Sequence, residues 1–298
     1  MKRVILAIAC MFLIAACGTP QTVEVGDQKY LGGNDGVIVS FEPIGVEEDG
    51  VETIYDDEII RLEVVLKNKG EHEVAADTVD LKLLGPAQAL FEDVAAWEIS
   101  NAGVIDSVSE FNTEGGEEIV TFSTDGRYVN PITGFTDLQW FVNYAYDYRT
   151  EAIVSDVCFK EDLTDTRVCT VEEIKNIEVS GAPIQVTSVE EDTAGRAVPV
   201  LVFEISNVAG GDVTLQGEEF NNRFGTVAYS IDEADRWECK SGGRINEARL
   251  IDGKATIRCK LKEALPGGEL STKEVKFTLD YAYQDIVQQT LRVKESSS

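Results

Sequence analysis

Leu138-Gln139-Trp140-Phe141-Val142-Asn143-Tyr144-Ala145-Tyr146 carries the fold class of this chain. Leu138, Trp140, Val142, Tyr144 and Tyr146 take alternate positions; Gln139, Phe141, Asn143 and Ala145 fill the others. A period of two puts one set on one face of a strand and predicts half-buried β structure. Outward from this run the pattern recurs. Ile60, Leu62, Val64 and Leu66 alternate with Arg61, Glu63 and Val65, and Val275, Phe277, Leu279, Tyr281 and Tyr283 form a similar series. Asn68-Lys69-Gly70, Gly115-Gly116, Gly210-Gly211 and Asp252-Gly253 supply turns between such runs. Only residues 86–98, with Ala87, Ala89, Leu90, Val94, Ala95 and Ala96, predict a short helix. The expected fold is all-β, built of antiparallel β-sandwiches.

An internal repeat extends the reading. Val46-Glu47-Glu48-Asp49 returns as Val189-Glu190-Glu191-Asp192. Leu62 to Lys67, followed by Asn68-Lys69-Gly70, returns as Leu201 to Ser206, followed by Asn207-Val208-Ala209-Gly210. Tyr144-Ala145-Tyr146 returns as Tyr281-Ala282-Tyr283. The order is kept and the offsets are nearly equal, which predicts two tandem copies of one sandwich. The expected bounds are 34–160 for the first copy, 161–176 for a linker and 177–295 for the second.

The start of the chain reads as an export signal. Lys2 and Arg3 precede an apolar run from Val4 to Ile14, and Ile14-Ala15-Ala16 leads into Cys17. The run falls short of the roughly 20 apolar residues that span ~30 Å of hydrocarbon. Residues 1–16 are therefore expected to be removed. Residues 17–33, with Gly26, Gly32 and Gly33, are expected to form a flexible tether beginning at Cys17.

Four cysteines lie beyond this segment: Cys158, Cys169, Cys239 and Cys259. An even number in an exported chain predicts disulfides. Three pairings exist, and the local ones, Cys158–Cys169 and Cys239–Cys259, are expected. Each closes a short loop, worth about 3 kcal/mol in the chain-entropy picture. The net charge of −28, with 54 acidic against 26 basic residues, repels nucleic acid and anionic headgroups.

These residues carry resemblances. Ile14-Ala15-Ala16-Cys17 resembles the lipobox of prokaryotic lipoproteins, which implies a diacylglyceryl group on Cys17. More than one acyl chain gives stable membrane anchoring, at about 0.8 kcal/mol for each buried methylene. The strand–Asn-x-Gly–strand pattern resembles CARDB-like and other immunoglobulin-like modules of prokaryotic surface proteins. The Tyr-Ala-Tyr strand followed by a second strand, then Val157-Cys158 and Val168-Cys169, looks like two-domain surface lipoproteins of archaea. The resemblance implies tandem immunoglobulin-like sandwiches outside the cytoplasm and no activity.

Catalytic patterns are lacking. His72, the one histidine, sits in the polar turn Lys69-Gly70-Glu71-His72-Glu73 with no nucleophile motif near it in sequence. No nucleophile elbow, phosphate loop or paired-histidine zinc motif is present. The carboxylates Glu47, Glu48, Asp49, Asp56, Asp57 and Glu58 flank an expected hairpin and are expected to be solvated turn residues; no cofactor is expected, and calcium is the alternative their oxygen ligands offer, though they lack the Asp-x-Asp-x-Asp-Gly loop. Tyr144, Tyr146, Tyr281 and Tyr283 recur at one place in each repeat, which predicts a structural role. The expected function is that of a non-enzymatic, lipid-anchored surface protein, held to the membrane through Cys17. It would serve as an interaction, adhesion or spacer module toward another surface protein or envelope component. The alternatives are a structural subunit of a secretion, pilus or surface-layer assembly and, third, a solute-binding lipoprotein.

Overall fold

The structure, a computed structural model, describes residues 29–165, 167–221 and 223–296. Cys17, the signal segment and the tether up to residue 28 lie outside the described residues. The fold is all-β, with three mainly antiparallel sheets. One has four strands, in the order Val37–Phe41, Ile59–Asn68, Glu117–Tyr128 and Phe91–Glu92. A second has five: Glu173–Ile174, Ile184–Thr193, Pro199–Asn207, Lys254–Leu261 and Trp237–Lys240.

The third and largest sheet has ten strands and is organised by two of unusual length. Phe135–Lys160 has 26 residues and Leu270–Lys294 has 25. Strands of three to ten residues are usual. At about 3.4 Å per residue each long strand extends some 85 Å. They pair antiparallel along their whole length, from Leu270↔Lys160 to Lys294↔Phe135. The two halves of the chain therefore share one sheet. Val79–Leu84 pairs with the early part of the first long strand, and Ile177–Val179 pairs with its later part. Gly225–Ile231 and Asp212–Thr214 pair with the second long strand. Val51–Tyr55 runs parallel to its last residues.

The alternation seen in the sequence sets which face is buried. Trp140, Val142, Tyr144, Tyr146, Tyr148, Thr150 and Ala152 are all buried. A bulge then changes the parity: pairing shifts between Lys273 and Val275, and Asp156 adopts φ 53°. Beyond it Val157 and Phe159 take the inward positions. The smaller sheets close over this face. Phe91 of the four-stranded sheet lies 4.8 Å from Trp140 between ring centres, and Phe203 of the five-stranded sheet stacks on Phe277 at 4.0 Å.

The expected helix over 86–98 does not form. Gln88–Leu90 makes a single 3-10 turn, and Phe91–Glu92 and Glu98–Ser100 are strands. Both bulky residues of the segment turn onto one indole: Phe91 packs on Trp140, and Trp97 stacks 6.0 Å from it. A helix could not present both to that target while Leu83 N–H bonds Trp97 C=O at 2.8 Å. Packing outweighs the helix propensity of the alanines, which is worth only tenths of a kcal/mol per residue.

Both disulfides form as expected, Cys158–Cys169 and Cys239–Cys259. The second joins residues directly opposite on neighbouring strands. The first ties the far end of a long strand to the segment after it. Two buried lysines hold the same segment: Lys160 Nζ donates to Cys169 C=O at 2.5 Å, and Lys175 Nζ bonds Glu191 at 2.7 Å. Glu191, fully buried, also accepts the Cys158 N–H at 3.0 Å. Burial raises the Glu191 carboxyl above the usual range. Burial opposes charge on Lys175, yet its bonds to Glu173 and Glu191 hold it above the usual lysine value. The sequence pattern places Glu191 in an acidic run like that at Glu47–Asp49; the fold instead closes it into an ion pair.

Candidate functional site

The middle of the paired long strands is the most elaborated polar region of the core. Tyr146 lies opposite Tyr283, and Tyr148 lies opposite Tyr281. Burial raises the pKa of all four hydroxyls, that of Tyr283 to about 12. They stay protonated and act as hydrogen-bonding groups. Tyr146 OH accepts the Val37 N–H at 3.1 Å. Tyr281 OH accepts the Ile184 N–H at 3.4 Å. Val37 begins Val37–Phe41 and Ile184 begins Ile184–Thr193, strands of the two smaller sheets. Thr150 gives its only hydrogen to Ile184 C=O at 2.6 Å, so the 3.0 Å contact with Tyr281 has tyrosine as donor.

Tyr148 and Tyr283 hold the turns that follow the central strand of each small sheet. Tyr148 OH donates to Asn68 Oδ1 at 3.0 Å and accepts the His72 N–H at 3.3 Å. Tyr283 OH accepts the Gly211 N–H at 2.6 Å. Asn68 Nδ2 donates to His72 C=O, and Asn207 Nδ2 donates to Gly211 C=O, at 2.7 and 2.6 Å. The hydrogen bonds thus match Tyr146 with Tyr281 and Tyr148 with Tyr283. This register differs by two residues from the Tyr-Ala-Tyr alignment of the sequence, which matched Tyr144 with Tyr281. Tyr144 is an additional buried ring, parallel to Tyr146 at 6.3 Å. The matched bonds relate the two halves by an approximate twofold axis passing between Asp147 and Ala282, which face each other.

At this waist the first described residues are tied down. Glu71 follows the Asn68 turn, and its carboxylate accepts three backbone N–H groups: Leu31 at 2.8 Å, Gly32 at 2.9 Å and Gly181 at 2.7 Å. Its own N–H donates to Gly181 C=O at 2.9 Å. Tyr30, buried, donates to Glu151 at 2.9 Å, and Lys29 N–H donates to Glu178 at 2.9 Å. Burial and the Glu151 carboxylate raise the Tyr30 hydroxyl far above its ordinary value. Residues 29–33, expected to belong to a flexible tether, are therefore bound to the body of the protein. The clamp needs close backbone approach: a Cβ on Gly70 would stand 2.2 Å from Tyr148 OH and 2.5 Å from Gly181 C=O.

Comparison of the chain with family models, curated proteins and solved structures finds no match.

His72, expected as an exposed loop residue, is half-buried with its ring edge-on to Tyr148 at 5.3 Å. Burial, followed by the charge of Arg149, lowers its pKa. Three of the six carboxylates of the acidic hairpin make protein contacts. Glu48 pairs with Lys294, Asp56 accepts the Ser296 N–H at 2.9 Å, and Glu58 accepts the Tyr55 N–H at 2.7 Å. Among the described residues no three His, Cys, Asp or Glu side chains gather as a metal-holding group. Sequence reasoning missed Glu71 and Glu151. The signal for Glu71 was its place directly after Asn68-Lys69-Gly70, where the second copy has Gly210 after Asn207-Val208-Ala209.

Proposed function

We propose that this chain is a non-enzymatic surface lipoprotein, anchored through Cys17 and serving as a stiff interaction module. In this reading the four-stranded sheet and the five-stranded sheet each cover one half of the large sheet. They form two immunoglobulin-like sandwiches fused through shared strands. The observation that carries the reading is the clamp on residues 29–33 at the waist. A chain arriving from Cys17 is bound there by Glu71, Glu151 and Glu178, between the two lobes and not at either tip. Lys29 comes twelve positions after Cys17, a reach of at most about 40 Å. Both lobes would then stand at similar distances from the membrane, presenting their outer faces sideways.

A Cys17→Ser variant tests the anchor. It should appear folded in the soluble fraction, with the parent in the membrane fraction. Retention in the membrane would overturn the anchoring. Spin labels at Lys82 and Lys254, on opposite lobes, test the stiffness. A single narrow distance distribution is expected, and a broad one would exclude a stiff module.

A further inference from the structure

We propose that the outer face of the large sheet, over the first half of the molecule, binds an uncharged polysaccharide. The two long strands build that face. From Gln139 to Ala145 its outward residues are Gln139, Phe141, Asn143 and Ala145. Opposite them on the partner strand stand Thr290, Gln288, Ile286 and Gln284. None of the eight is charged, in a chain with 27% charged residues. The same strands return to charge on either side: Asp137 lies opposite Arg292 beyond one end, and Arg149 opposite Asp280 beyond the other. The uncharged stretch spans four outward positions on each strand, about 20 Å. It is open to solvent, with Gln139 and Gln288 exposed and Ile286 53% exposed.

The face is rich in unused hydrogen-bonding groups. The amides of Asn68, Asn207 and Gln185 are bonded within the fold, whereas those of Gln139, Asn143, Gln284 and Gln288 bond no other described residue. Each amide both donates and accepts. Apolar surface interleaves with them: Phe141 lies between Gln288 and Leu84 on the neighbouring strands, and Ile286 stands opposite Asn143. A shallow groove of about 490 Å³, lined by Asp80, Ser100, Asn143 and Ala145, runs along one side. A second, of about 500 Å³, lies at Val51, Gln288 and Thr290.

These properties select the partner. The cations at the rim are engaged: Lys82 with Glu98 at 2.5 Å, Arg292 with Asp137 at 2.7 Å, and Lys294 with Glu48. Asp80 and Glu47 at the grooves are negative, so an anionic ligand gains nothing here. A second copy would set one chain of charge −28 against another across a face with few apolar side chains. An extended peptide pairs with a sheet edge, whereas the backbone under this face is already bonded within the ladder. A neutral sugar fits: its hydroxyls donate and accept as amides do, its C–H faces cover Phe141 and Ile286, and the rim carboxylates accept further hydroxyls. The proposal names a partner class for the interaction module and does not depend on the lipid at Cys17.

The test is native electrophoresis of the full chain, kept soluble in a zwitterionic detergent, through gels containing dextran, mannan, galactan or dextran sulfate. At least one neutral polysaccharide should retard the protein, and dextran sulfate should not. Asn143→Ala combined with Gln288→Ala should weaken the retarding interaction about tenfold, the loss of one to two hydrogen bonds. The melting temperature should stay unchanged, since neither amide is bonded in the fold. Phe141→Ala should weaken binding about fivefold. Lys254→Gln on the five-stranded sheet should leave it unaltered. Absence of retardation by all three neutral polymers would overturn the proposal, and so would equal retardation of the parent and the double variant. Because the protein is in detergent, a failed anchor leaves these outcomes unaffected.

Discussion

The turn Asn68-Lys69-Gly70-Glu71-His72 and the turn Asn207-Val208-Ala209-Gly210-Gly211 occupy equivalent places and use the same chemistry. Each has an asparagine whose amide spans the turn and a tyrosine hydroxyl from a long strand bonding the backbone four residues on. Their burial and their extra residues differ. Asn68 is fully buried and also reaches Ile105 C=O at 3.4 Å, while Asn207 is half-buried. Glu71 stands where the second turn has Gly210, and only the first turn carries a carboxylate that caps the backbone of residues 31, 32 and 181. The comparison separates the part of the motif that builds the fold, present twice, from the part that fixes the N-terminal segment, present once.

Removing the shared part should cost most, and unequally. Asn68→Ala strands Tyr148 and two backbone groups in a buried site and should lose about 3 kcal/mol. Asn207→Ala, nearer water, should lose about 1 kcal/mol. Urea denaturation of the two variants measures the difference, and equal losses would break the comparison. Glu71→Gln should follow at roughly 2 kcal/mol, since it replaces a charged acceptor of three N–H groups by a neutral one. Hydrogen exchange should speed up at Leu31, Gly32 and Gly181 and stay unchanged at Gly211. Tyr148→Phe should cost about 1.5 kcal/mol and Tyr283→Phe about 1, because only Tyr148 both donates and accepts. The smallest effect is that of pH. Burial sets the His72 pKa in the folded state below the ordinary 6.5. The folded state therefore favours the neutral ring; that contribution is complete above pH 6.5 and is lost as pH falls from there through the lower folded-state value. His72→Gln should flatten the stability profile in this window, and an unchanged profile would remove His72 as its source.

Much of this was legible in the sequence. Even-numbered burial from Trp140 to Ala152 follows the alternation directly, and the local disulfides agree with the pairing expected from the short cysteine spacings. The sharing of strands was not. Leu138–Tyr146 reads as one ordinary strand with a second strand after it, and nothing in the charged positions Asp147, Arg149 and Glu151 shows that the two are one. Those three are the outward positions of the same strand, which contains neither Gly nor Pro from Phe135 to Lys160. The bulge at Asp156 hid the continuation further by exchanging the parity of the inward residues. The clamp was illegible for another reason. Glu71, Leu31 and Gly181 are far apart in the chain, and nothing local marks a carboxylate that caps backbone from two distant segments.

The paired long strands also set the order in which the protein can be made. Phe135–Lys160 emerges from the ribosome long before its partner, and its last pairing, Phe135 with Lys294, waits for nearly the whole chain. Until then its edge beside the missing strand is an unfilled template. Contacts of such sequence separation form slowly and only once both long strands have been made. The first half of this chain therefore cannot finish folding as a nascent domain, and a truncation before Leu270 should leave an aggregating fragment in place of a smaller folded protein.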